Sequence, residues 1–284
     1  MTLAQALNMD TWAEGAYLEI DRPSPPVDLI AIAKIHGVRQ IRLRSMIHDG
    51  ALVPVPGGFE VYIHDLREQD LDLTEHKQPE ETLSARQRFT LAHEIAHTKF
   101  YSMRGRTPAK KAAVKKYNDP DGIGLEKICN RAAARLLVPK QLIKNDIHDN
   151  LGGQKERIDS AFVRSMATTF RASAEVVLKR IRVAEPENLF RRCIVLAREE
   201  EGQLKIRAWY RGATLLSAFR PIEEFEFKPV TDWLPDLPSD FVEPTGPSQT
   251  EVSVRGRRFT AQKFPVGRGK TFLLQLDESN ETQR

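Results

Sequence analysis

Residues 88–100 read RFTLAHEIAHTKF, with His93 and His97 four positions apart and Glu94 directly after the first histidine. On a helix, residues i and i+4 lie one turn apart on one face. Both imidazoles can then aim at a single point, while Glu94 projects about a quarter turn away. Neutral imidazole nitrogens suit zinc, and a catalytic zinc takes three protein ligands and a water. Such an ion lowers the pKa of its water to about 7 and polarises a carbonyl. A carboxylate at Glu94 is placed to take the water's proton and pass it on. The competing reading is an ordinary core helix that carries His, Glu and His. A third ligand on another element separates the two.

The stretch 125–139, LEKICNRAAARLLVP, offers one. Leu125, Cys129, Ala132, Ala133 and Leu136 recur at helical spacing and form one buried stripe of a helix over 125–138, with Pro139 just past it. Glu126 lies beside that stripe, and Asn130 is one turn further on the same face. A carboxylate at the edge of an apolar face is costly without a partner, and a metal ion is such a partner. Asn130 can accept a hydrogen bond from the non-ligating nitrogen of His93 or His97 and fix its tautomer. The bland reading of Glu126 is a solvated residue near a helix start. Cys129 is the rival third ligand, but its place inside the apolar stripe reads as a small core residue. His36, His64 and His148 read as structural, although His64 follows a strand that could approach the cleft.

The rest of the chain bounds the possibilities. It has 284 residues, enough for one large or two small domains with a real core. Hydrophobic residues make up 40% and charged residues 29%, an ordinary globular balance with no apolar run near the roughly 20 residues of a membrane span. The N-terminus lacks the pattern of a secretory signal, and two cysteines make no disulfide framework, so a cytoplasmic setting is expected. The net charge of +4 is weak evidence for nucleic-acid binding. Residues 104–116 hold six Lys or Arg and no acid. That run reads as a solvated face or as a patch for an acidic partner.

Patterning divides the chain. Residues 27–37 read as a helix ended by Gly37. VRQIRL and then GALVPVPGGFEVYIHDL read as a strand and a strand–turn–strand. Residues 80–101 read as a helix, with Ser84 as N-cap and Gln87 three residues later as a weak capping box. Residues 102–121 look like a long polar excursion. Residues 157–182 read as two helices broken at RAS, with Ser173 as an N-cap. From Leu189 the texture becomes strand-like, interrupted by a proline-rich section at 221–247.

The pair RQRFTLAHEIAH and EKICNRAAARLLVP resembles the ImmA/IrrE family of zinc metallopeptidases, as does the upstream segment ending in GGFEVYIHD. AHTKFYS departs from the more usual apolar run after the second histidine, which bears on the cleft and not on the metal ligands. The resemblance implies an α+β fold with a gluzincin-like minimal metallopeptidase core over 1–145. A helix-turn-helix-like segment at 146–187 and a small β-rich, sensor-like C-terminal domain at 188–284 follow. It implies His93, His97 and Glu126 as zinc ligands, Glu94 as general base, Asn130 behind the histidines, and Mn²⁺ as an ion able to support activity. It also implies a helix-turn-helix repressor of the XRE type as protein substrate, whose cleavage switches on stress-response or mobile-element genes. The segment MATTFRASAEVVLKRI has the spacing of a helix-turn-helix, but its basic residues Lys179, Arg180 and Arg182 fall late in the second helix. Sequence-specific DNA binding is therefore not expected. The alternative is a DNA-binding regulator with a structural or degenerate metal site. Glu94 argues against it, because a structural site has no use for a general base.

Overall fold

Ser84 starts the helix that carries both motif histidines. In the computed structural model its Oγ accepts the Gln87 backbone N–H at 3.3 Å, and its own backbone N–H donates to Gln87 Oε1 at 2.9 Å. This capping box satisfies two donors that a helix start leaves unpaired. The Gln87 side-chain amide also donates to Asp65 Oδ2 at 2.7 Å and to the His64 carbonyl at 3.3 Å, which ties the helix start to the end of a strand. The structure describes residues 3–21, 23–66, 68–71, 82–111, 123–152, 158–184, 192–211, 222–243, 248–254, 257–266 and 271–278. Its architecture is α+β, and it divides into two compact units, one of residues 1–142 with 169–173, the other of 143–168 with 174–284.

In the first unit, α1 (Leu3–Gly15) and α2 (Leu29–Ile35) precede strands β1 (Val38–Arg44), β2 (Gly50–Val55), β3 (Gly58–His64) and β4 (Gln69–Leu71). Asp28 caps α2 by accepting the Ala31 N–H at 2.8 Å. The sheet order is β2-β3-β1-β4, with β1 parallel to β3 and the other pairs antiparallel. Pro56 and Gly57 make the β2–β3 turn, where Gly57 takes φ +82°, a left-handed conformation that glycine adopts without steric cost. Among the described residues β2 has a neighbour on one side only, so it is an edge strand.

The motif helix α3 (Ala85–Thr98) packs on β2, β3 and a second helix, α4 (Ile123–Leu137). The helix expected over 80–101 is shorter in fact; residues 80 and 81 lie outside the described ones. The capping box sets its start. At its end the Lys99 and Phe100 N–H groups turn back to the Ala96 and His97 carbonyls, and Tyr101 is already extended. Of the excursion expected over 102–121, residues 102–111 continue a hairpin of β5 (Tyr101–Ser102) and β6 (Ala109–Lys110); residues 112–121 lie outside the described ones. The hairpin is tied to the β2–β3 turn, where the Gly57 N–H donates to the Arg106 carbonyl at 2.7 Å.

No element was expected in the first 20 residues, and there α1 packs against α4. It buries Met9 and Ala13, and ion pairs add to that contact. Asp10 meets Arg131 at 2.9 Å and Arg135 at 3.2 Å, Glu14 meets Arg135 at 3.4 Å, and Glu14 also accepts the Lys140 N–H at 2.9 Å.

The second unit takes in most of α5 (Lys140–Leu151) and α6 (Ser160–Thr169), and α7 (Ala174–Ala184). It also holds strands β7 (Arg192–Glu200), β8 (Gln203–Arg211), β9 (Gln249–Val254), β10 (Arg257–Pro265) and β11 (Thr271–Glu278). They form one antiparallel sheet in the order β8-β7-β11-β10-β9. The described part of the proline-rich section, 222–243, contains a 3₁₀ turn at Ile222–Phe225 and two short α-helices, α8 (Val230–Trp233) and α9 (Ser239–Val242). Trp233, Phe241 and Phe259 are fully buried in the core of this unit. Lys263 stays inside it because its ammonium donates to the Phe241 and Glu243 carbonyls. Helix α7 packs on β7 and β8 and buries Val176, Val177, Leu178, Arg180 and Ile181. No helix among the described residues is long and apolar enough to cross a membrane.

The N-cap is worth testing because it sets the start of the motif helix. Ser84→Ala is expected to lower unfolding free energy by about 1 kcal/mol, and Ser84→Asp to retain most of it. Urea unfolding followed by circular dichroism checks this; equal midpoints for Ser84→Ala and the parent chain would contradict it.

Candidate metal centre

Helices α3 and α4 lie side by side, so that their facing side chains meet. His93 and His97 point their Nε2 atoms at each other, 2.9 Å apart. Glu126 Oε2 lies 3.0 Å from His93 Nε2, and its Oε1 lies 3.4 Å from His97 Nε2. The three ligand atoms fall within 4.8 Å of one another and could hold a metal ion. With zinc–nitrogen distances of about 2.0–2.1 Å, atoms on a tetrahedral shell sit about 3.3–3.4 Å apart, close to the separations found. Two lone-pair nitrogens and a carboxylate this close repel unless a proton or a cation lies between them. Nothing in the fold forces the contact for packing alone, because Glu126 is half-exposed. The donor set therefore fits a divalent ion.

Asn130 Oδ1 lies 2.9 Å from His93 Nδ1. With the amide oxygen accepting, Nδ1 carries the proton and the Nε2 lone pair faces the cluster. Burial, and then the charges of His93 and Lys110, lower the His97 pKa to about 4, against an opposing pull from Glu126. His97 is thus neutral near neutral pH, and its contact with Glu126 is not a charged salt bridge.

Glu94 is 7% exposed and is not one of the three converging groups. Burial first, and the charge of Glu126 second, raise its pKa to about 7. It lines two cavities that also reach His97 and Glu126. One, of about 410 Å³, is walled by His48, Asp49, Gly50, Phe89, Thr90 and Asn130. The other, of about 210 Å³, is walled by Leu52, Phe100, Tyr101, Lys110 and Leu125. Gly50 lets the edge strand lie against the helix here. A Cβ at this position would come within 2.4 Å of Thr90 Cγ2 and 3.0 Å of Glu94 Oε1.

Cys129 is fully buried in the apolar stripe of α4, apart from the cluster. Burial, together with the charges of Glu126 and Glu94, pushes its thiol well above the usual range, so a thiolate is disfavoured. His36 caps α2 and packs edge-on against Trp12 with ring centroids 5.0 Å apart. Burial and then Lys99 lower its pKa to about 4. His64 accepts the Met46 N–H through Nδ1 at 3.2 Å, and His148 is exposed on α5. Most residues of the cavity walls escaped sequence reasoning, among them His48, Gly50, Tyr101 and Lys110. The Asp-Gly turn signal just ahead of an edge strand could have drawn attention to the first two. Lys110 was read only as part of a basic run.

Two histidines one helical turn apart, a carboxylate from a second helix and a buried glutamate beside them define an HEXXH-type metal site. In agreement, residues 80–182 match the family model Peptidase_M78, an IrrE N-terminal-like domain. The match spans both site helices and continues to Arg182. It supports a metallopeptidase role for this part of the chain. No curated protein matches the chain.

The ligand set can be tested without any assay of activity. The purified chain is expected to hold about one divalent ion, and Glu126→Ala to lower zinc affinity by at least tenfold while Cys129→Ser leaves it unchanged. Metal titration by calorimetry or competition dye reads both; the reverse pattern would move the third ligand to Cys129.

Proposed function

We propose that this chain is a zinc-dependent endopeptidase that cleaves a helix-turn-helix repressor of the XRE type and so derepresses stress-response or mobile-element genes. One observation carries the enzymatic part of this reading. Glu94, a buried carboxyl outside the converging triad, lines one cavity with His93, His97 and Glu126 and a second with His97 and Glu126. A bound zinc would supply Lewis acidity, lowering the pKa of a water and polarising the carbonyl to be attacked. His93, His97 and Glu126 hold the ion, and Asn130 orients the His93 ring. Glu94 accepts a proton from the attacking water and returns it to the leaving amine. A pKa near 7 suits a group that must do both near neutral pH. Two cavities that share Glu94, His97 and Glu126 suit an extended chain occupying both, as cleavage within a protein requires. The repressor substrate follows from the family resemblance of the two motif helices.

The alternative, a DNA-binding regulator with a structural metal, meets two difficulties. A structural site does not need Glu94. The basic residues of α7 are also engaged within their own unit. Arg180 is 2% exposed, Arg182 lies over the Trp209 ring at 4.4 Å, and Lys179 meets Glu175 at 2.9 Å. A groove reader needs such residues free to reach bases and phosphates. A gel shift at physiological salt is expected to show no preference for an operator over random duplex; one clear operator-specific complex would revive the alternative.

The mechanism turns on one side chain. Glu94→Gln keeps the shape and leaves all three ligands in place, but an amide accepts no proton from water at neutral pH. Zinc binding should persist and repressor cleavage should fall by about 10²- to 10⁴-fold. His93→Ala should lose both. Metal content and fragment yield, measured by mass spectrometry on the same preparations, decide the matter: full cleavage by metal-loaded Glu94→Gln would remove Glu94 as the base, and loss of zinc would make it a ligand.

A further inference from the structure

We propose that the smaller cavity beside the metal centre is a specificity subsite for an acidic side chain of the substrate, and that Lys110 is the residue that reads it. The inference rests on the peptidase reading above.

Tyr101 and Lys110 face each other directly in the β5–β6 ladder. Residues so paired project from the same face of the ribbon, and both line the cavity that reaches Glu94, His97 and Glu126. The Tyr101 ring is held edge-on against Phe59, with centroids 5.3 Å apart. Leu52, Phe100 and Leu125 supply apolar walls. The Lys110 ammonium stands exposed at the rim and has no ion-pair partner among the described residues. Three other lysines are by contrast engaged: Lys179 meets Glu175 and Lys205 meets Glu201, each at 2.9 Å, and Lys111 donates to the Lys99 carbonyl at 2.6 Å.

The surroundings reinforce the sign. Residues 102–111 contain Arg104, Arg106, Lys110 and Lys111 and no acidic residue, and both arginines are exposed. The cavity already contains two carboxyl groups, Glu94 and Glu126. An incoming acid therefore needs a counter-charge, and Lys110 supplies it. A glutamate or aspartate fits the lining, with methylenes against Leu52 and Leu125 and the carboxylate on the ammonium. The larger cavity has no such group. Among the described residues no lysine or arginine lines it, and its Asp49 is paired with Arg86 at 2.7 Å. Selection for an acidic residue thus falls on one side of the cleaved bond only.

The test uses the zinc-loaded full chain and a synthetic decapeptide mixture randomised at its central positions, with new termini identified by mass spectrometry. The parent chain should enrich Glu and Asp about tenfold within two positions of the cleaved bond, on one side. Lys110→Met should abolish the enrichment, and Lys110→Glu should replace it with Lys and Arg. Lys34→Glu, at an exposed position of α2, should leave the profile unchanged. Zinc content must equal that of the parent in every variant, which separates a change of preference from loss of the metal centre. An unchanged acidic preference in Lys110→Glu, or cleavage by the parent with no acidic preference, overturns the subsite alone. No new termini from the metal-loaded parent overturns the peptidase reading and the subsite with it.

Discussion

Two imidazole nitrogens 2.9 Å apart, with a carboxylate 3.0–3.4 Å from each, are the constraint on which the first unit depends. Atoms that close need a proton or a cation between them, and the fold holds α3 and α4 side by side around that point. It does so from both ends. A capping box and the Gln87 contacts to Asp65 and His64 anchor the start of α3 to β3. The acidic groups of α1 grip Arg131 and Arg135 on α4. Between these anchors, close packing of Leu91, Ile95, Ala132, Ala133 and Leu136, all fully buried, leaves the ligand-bearing faces little freedom. A cation at that point would be attracted to all three donors, so the geometry favours the ion.

The wall opposite the helices is made by an edge strand that comes unusually near. At Gly50 a Cβ would clash with Thr90 and press on Glu94, so only glycine lets the strand lie there unchanged. That approach helps bury Glu94, and burial is the main cause of its raised pKa. Packing and acid–base chemistry are thus one design: the contact that closes the cleft is also the contact that tunes its carboxyl group.

The second unit is organised on other lines. Its antiparallel sheet carries α7 on β7 and β8, and the basic side chains of that helix go to packing and ion pairs within the unit. Arg182 stacks on an indole and Arg180 is buried, so the helix spends its charge on the sheet. An amphipathic helix that resembles a reading head by spacing can serve as a lid on a β-sheet, because the two uses share a periodicity and differ only in what lies beneath.

Much of the centre was legible in the sequence, because helical geometry is local. An i, i+4 pair of histidines must share a face, Glu94 must project aside, and Ser84 with Gln87 announces a helix start. The apolar stripe of α4 put Glu126 and Asn130 on one face and Cys129 inside the core. Other features depended on residues far apart in the chain. The N-terminal helix α1 was hidden because few of its described residues are buried and apolar, Met9 and Ala13 among them, and its ion pairs to Arg131 and Arg135 reach far along the chain. His48, Gly50, Tyr101 and Lys110 became cavity walls only when an edge strand and a two-residue ladder folded beside the metal helices. Local rules determined which side chains could converge; tertiary packing decided what surrounds them, because a cavity belongs to the space between elements and to none of them alone.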